Sequence, residues 1–163
     1  MQTQAEERQL TKPIIDFASK VKAKITFNLA LVVENGGRYF LLNKNLKAIA
    51  PRSFFYAGRY LAKVENGKFF PSFNLLAILS ETAVNKVEVD EKAAWLFICG
   101  RDIFGLGIVS VQGSHREGDF TLVVNEFGEC LGFCRIIGNL NSRNKEVVLS
   151  NVSDGGDFLR REH

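Results

Sequence analysis

Apolar residues along this chain keep two rhythms. Leu10, Ile14, Phe17, Ala18 and Val21 recur at the spacing that puts side chains on one face of a helix. Thr11 is placed to cap that helix, and Pro13 is then tolerable in its first turn. The polar residues Met1 to Leu10 read as a frayed lead-in. Ile25 to Val33 alternates and is rich in β-formers, which predicts a strand. Glu34-Asn35-Gly36-Gly37 is a hairpin turn, and Arg38 to Leu42 is the returning strand. Asn43 to Ala50 is a short piece that Pro51 ends as a helix. Phe54 to Val64 and Lys68 to Phe70 flank a second hairpin turn, Glu65-Asn66-Gly67. Ser72 is the predicted N-cap of a helix whose buried side carries Leu75, Leu76, Leu79, Ala83 and Val84.

The pattern changes after Asn85 to Asp90, where charge returns and a domain boundary is expected. Glu91 to Cys99 predicts a short helix with Ala94, Trp95 and Ile98 on its apolar face. Gly100, Gly105 and Gly107 then punctuate a loop, glycine being the residue that tolerates positive φ and close backbone approach. Short runs follow: IVSV, FTLVV, CLGFCRII and EVVLSNV, separated by polar turns. They predict a closed or nearly closed barrel. Asp157 to Glu162 is expected to form a short helix over one mouth of it. No flexible linker separates the halves, so they are expected to pack together.

Three segments carry a family resemblance: Val89 to Val109 (VDEKAAWLFICGRDIFGLGIV), the Gly118 to Phe120 step, and Asn125 to Ile136 (NEFGECLGFCRI). Together they resemble a PUA domain, the small pseudo-barrel named for pseudouridine synthases and archaeosine transglycosylases. With the N-terminal segment Ala57 to Ala83 and the closing GDFLRRE, the chain is similar to the large-subunit ribosome biogenesis family called nuclear import protein seven, in a compact archaeal-type form. The resemblance implies an α+β protein: an N-terminal antiparallel sheet with helices over residues 1–86, then a PUA pseudo-barrel over 87–163. It also implies binding of ribosomal or pre-ribosomal RNA, and partners among other ribosome assembly factors and RNA exosome components.

Charge sharpens this picture only slightly. The net charge is +3 and the pI about 8.8, mildly basic, so the placement of cations matters more than their sum. Fourteen phenylalanines serve two roles: filling small cores, and offering rings on which single-stranded RNA stacks. Three cysteines without a pairing pattern are expected to be buried and free, in a reducing, cytoplasmic setting. No apolar run is long enough to span a membrane.

Catalytic and metal signatures are weak. His115 sits in a polar turn and His163 is the last residue. Cys130 and Cys134 can share a strand face, but no further ligand completes a tetrahedral site. Gly105-Leu106-Gly107 lacks the continuation of a phosphate-binding fingerprint. The expectation is a non-enzymatic protein without metal or cofactor. Rival readings are a subunit of an RNA-modification enzyme and a protein-only adaptor.

The candidate RNA contacts fall in two groups. Arg101, Gly105 and Gly107 belong to the glycine loop, which in the resembled family lies against RNA; a solvated turn arginine is an equal reading of Arg101. Arg135, Arg143, Lys145, Arg160 and Arg161 form a C-terminal basic set. Arg160 and Arg161 point apart if helical, so one is expected at the RNA and the other beside Glu162 or the barrel.

Overall fold

A computed structural model describes residues 4–49 and 54–156. Helix α1 (Gln4–Lys20) buries Ile14, Phe17 and Ala18. It starts earlier than the sequence pattern predicts. Thr11 is no cap: its hydroxyl donates to the Glu7 carbonyl at 2.7 Å, one turn back. Pro13 therefore lies inside the helix; it has no N–H to donate to the preceding turn, and tertiary burial of the helix face outweighs that loss.

The predicted strand at 25–33 is mostly something else. Leu29–Leu31 forms a 3₁₀ turn, because the Asn28 side chain accepts the Ala30 N–H and bends the chain. Pairing begins only at β1 (Val32–Asn35), which returns as β2 (Arg38–Leu41). Gly36 and Gly37 both have positive φ, +59° and +79°, the two-residue turn that matches strand twist. Asn43 caps α2 (Lys44–Ile49). Residues 54–58, read as strand, are not; β3 (Arg59–Glu65) begins after Gly58, whose positive φ brings it against the Leu41 carbonyl. Asn66 and Gly67 turn β3 into β4 (Lys68–Pro71). Helix α3 (Phe73–Ser80) is capped by Ser72 as predicted and buries Leu75, Leu76 and Leu79. Val84, expected on that buried side, is 52% exposed because the helix has already ended.

The first sheet is antiparallel, in the order β1-β2-β3-β4. The second contains β5 (Lys86–Val89), β6 (Ile103–Phe104), β7 (Ile108–Gln112), β8 (Phe120–Val124), β9 (Cys130–Ile136) and β10 (Val147–Asp154), in the order β6-β10-β9-β8-β5-β7. Strand β5, cut from the NKVEVD segment, runs parallel to β8 and antiparallel to β7, and buries Val87 and Val89. Helix α4 (Glu91–Ile98) packs against this curled half-barrel sheet and puts Phe97 fully inside. Trp95, predicted on the apolar face, is 65% exposed: Ala94, Leu96, Phe97 and Ile98 make the helix apolar on most sides, so periodicity alone could not rank them. Cys99 is likewise exposed, as the residue that ends the helix, while Cys130 is half-buried and Cys134 buried.

Two cores result. One fills the second sheet's concave side with Phe97, Ile103, Val123, Ile136 and Leu149. The other joins α1, α3 and the first sheet to Leu122 and Phe133 of the second. Phe17 of α1 meets Phe133 edge-on, with ring centroids 5.1 Å apart. The predicted closing segment, Asp157 to Glu162, lies outside the described residues.

Candidate nucleic-acid interface

The glycine loop grows out of the end of α4. Gly100, with φ +87°, donates its N–H to the Phe97 carbonyl, and Arg101 donates to Leu96. This paired arrangement satisfies the helix's last carbonyls and turns the chain sharply outward. Arg101 emerges exposed at that turn, and its carbonyl accepts the Asn151 side-chain amide at 3.3 Å. Asp102 accepts the Asn151 backbone N–H at 2.8 Å. Ile103 and Phe104 then pair with β10.

Gly105 and Gly107 shape a 3₁₀ turn whose neighbours are the protein's own chain. Gly105 is buried, and a Cβ there would run into the Ser142 carbonyl; one at Gly107 would meet the Ala93 Cβ at 2.5 Å. The backbone N–H groups of Gly105 and Leu106 donate to the carbonyls of Glu146 and Asn144, both at 3.0 Å. These two amides are thus engaged by the 139–146 loop. Arg143 completes the seam: its guanidinium donates to the carbonyls of Ile108 and Val109. Its charge is spent partly on fastening the loop to β7.

Loop and helix together enclose an open groove of about 320 Å³, lined by Lys92, Leu96, Phe104, Leu106 and Lys145, with Asp90 and Asp102 at its edge. Phe104 and Leu106 are 44% and 51% exposed. Asp90 caps α4 by accepting the Ala93 N–H at 2.7 Å. Both groove carboxylates therefore hold backbone N–H groups, and Lys92 and Lys145 stand at the rim of a ledge with exposed apolar side chains. Lys145 was legible in the sequence. Lys92, Phe104 and Leu106 were not singled out. A signal existed for Lys92: a cation in the first turn of a helix runs against the helix dipole, so some other feature must favour it.

The remaining candidates separate. Arg135 is exposed on β9, directly opposite Phe120 in the strand register. Its neighbour Ile136 faces the concave core, so Arg135 projects from the other side of the sheet. Arg160 and Arg161 lie outside the described residues. His115 is exposed in its turn. Among the described residues no group of three His, Cys, Asp or Glu side chains is placed to hold a metal, and no helix is long and apolar enough to cross a membrane.

Known proteins share this fold. A family model described as the UPF0113 PUA domain matches residues 85–163. A UPF0113 protein of Archaeoglobus fulgidus is 29% identical over 142 residues, covering 82% of this chain and 79% of that protein. A conserved PUA domain protein from Thermoplasma acidophilum superposes with a TM-score of 0.65 at 21% identity, over 96% of this chain and 95% of its own. A PUA domain from Aeropyrum pernix K1, solved as a tartrate complex, gives 0.61 at 16% identity, over 96% and 85%. The two structures bear on the fold, and the family match on the C-terminal residues. The curled sheet and the helix that packs on it therefore have the fold of a PUA domain, and residues 85–163 match the UPF0113 PUA domain.

Proposed function

We propose that the protein is a non-catalytic RNA-binding factor acting in assembly of the large ribosomal subunit, in the cytoplasm. The observation that carries the reading is the groove at the glycine loop of the PUA domain: two lysines at the rim beside exposed Phe104 and Leu106. Lysine ammonium groups hold phosphate oxygens and set the register of a bound strand. Apolar and aromatic side chains beside them accept an unstacked base. Arg101, exposed at the end of α4, extends the basic edge. Each of the groove carboxylates accepts a backbone N–H and so helps to shape the groove. Assignment to ribosome assembly rests on the family resemblance.

The N-terminal half offers a different surface. Phe55 and Tyr56 are 82% and 61% exposed, and the Arg38 guanidinium lies 5.2 Å from the Phe55 ring centroid. Aromatic residues and arginine are the side chains that anchor protein–protein contacts, which supports docking of another assembly factor there, as the resemblance implies.

The test is fluorescence anisotropy with a large-subunit rRNA fragment over a salt series. Wild type should bind with affinity that falls steeply as salt rises, and Lys92→Ala/Lys145→Ala should bind more weakly with a shallower slope. Equal affinity and slope in the two proteins would remove the groove from the account.

A further inference from the structure

A second groove lies away from the glycine loop, between α1, the β3–β4 hairpin and the convex face of the PUA sheet. It is open and measures about 600 Å³. Its apolar floor includes Phe17, Phe69, Phe120 and Phe133. Lys12 and Lys20 on α1 and Lys68 on β4 line its edges, all exposed, and the Lys20 ammonium stands 5.5 Å from the Phe120 ring centroid. Ion pairs among the described residues join Lys63 to Glu65 and Arg116 to Asp119; none reaches these three lysines. Asp16 is the one acidic residue among those lining the groove.

Arg135 adds to this side. It sits directly opposite Phe120 across the β8–β9 pair, and directly opposed residues project from the same face of a sheet. The cation that the sequence groups with the C-terminal basic set is thus next to the ring that Lys20 covers. Three lysines and one carboxylate among the groove's lining residues, with Arg135 beside Phe120, complement a polyanion that carries flat apolar groups. That is the chemistry of a single nucleic-acid strand, which is held by cations along its backbone and by stacking of its bases.

We infer that this interdomain groove is a second RNA site, taking a single-stranded stretch of the RNA whose other part lies at the glycine loop. Its phosphates meet Lys12, Lys20, Lys68 and Arg135, and a base lies against Phe120. The inference rests on the RNA-binding reading above, and the two are separable by experiment.

The probe is an oligouridylate of about ten nucleotides, within the site sizes typical of single-strand binders, carrying 4-thiouridine for photocrosslinking and a fluorophore for anisotropy. Wild type, Lys20→Ala/Lys68→Ala and Lys92→Ala/Lys145→Ala are compared. Lys20 and Lys68 are exposed, so their variant should keep the wild-type urea midpoint, which is measured alongside. Crosslinked peptides are expected from residues 64–71 and 120–135 as well as 100–107. The Lys20/Lys68 variant should lose the first two sets, bind several-fold more weakly, and flatten the slope of log affinity against log salt by about 1.4, from about 0.7 per phosphate on single strands. Crosslinks confined to 90–107 and 139–146, with unchanged affinity in the Lys20/Lys68 variant, would overturn the second site and leave the first standing. No binding by wild type would overturn both. Displacement of the oligonucleotide by polyglutamate from this groove alone would make it a protein-docking face and overturn the inference.

Discussion

Gly105 and Gly132 are places where one stretch of backbone presses on another. A Cβ at Gly132 would strike the Ser153 carbonyl and approach the Asp154 Cα at 2.8 Å; one at Gly105 would strike Ser142. Each Gly→Ala variant should lose about 1–3 kcal/mol of stability, the usual cost of forcing atoms into a packed site, read from urea unfolding. The sequence marked Gly105 and Gly107 as shapers of a contact loop, which they are. It could not say whether the approaching atoms belong to RNA or to the protein, because glycine serves both equally well. The cysteines show a similar limit: an apolar neighbourhood in sequence placed Cys99 inside, whereas it ends a helix at the surface. At mildly alkaline pH a thiol reagent should therefore modify Cys99 quickly in the native protein and the other two slowly. Burial pushes the Cys130 thiol up to about 11 and that of Cys134 well above its ordinary 9.0. Both raised values stabilise the fold fully below pH 9.0. As pH climbs past that point the unfolded chain releases protons that the folded one retains, and stability falls, for Cys130 until about pH 11. Urea midpoints measured from about pH 8 upward should show this decline, and Cys130→Ala/Cys134→Ala should reduce it.

At the level of elements, the hairpin turns and one of the two predicted caps were legible because their signals are local, whereas Thr11 lies inside α1. Asn-Gly and Gly-Gly turns and the Ser72 cap appear where the sequence puts them. Elements decided by tertiary contact were harder. Helix α1 runs through Pro13, Asn28 diverts a stretch that alternates like a strand, and the charged segment NKVEVD becomes a strand between two others. Only two of its residues, Val87 and Val89, are buried apolar side chains, too few for a periodic signal. The element that ties the halves together is β9. Phe133 leaves its convex side to meet Phe17, at 5.1 Å, and Phe120, at 6.1 Å. Phe133→Ala should destabilise the protein by about 3–5 kcal/mol, the range for deleting a buried phenylalanine. Amide exchange should accelerate in α1 as well as in β9. Acceleration limited to β9 would show that the halves do not share a core.

For the whole molecule, net charge says little and its layout says more. A surplus of three positive charges is spread so that two grooves, one at the glycine loop and one between the halves, combine lysines with exposed or half-buried aromatic and apolar side chains. The PUA resemblance pointed to the glycine loop that borders the first of these, but not to Lys92 or Phe104 within it. The second depends on α1 and β4 meeting the convex face of β8 and β9, a juxtaposition of residues more than forty positions apart that no local pattern encodes. The central claim is that RNA is held at the PUA end through the glycine-loop groove. The most direct measurement is amide chemical-shift mapping of isotope-labelled protein during titration with a single-stranded fragment of large-subunit rRNA. The account predicts saturable shifts in residues 92–107 and 143–146 that weaken in Lys92→Ala/Lys145→Ala. Saturable shifts that leave those residues untouched, or no shifts anywhere, would contradict it.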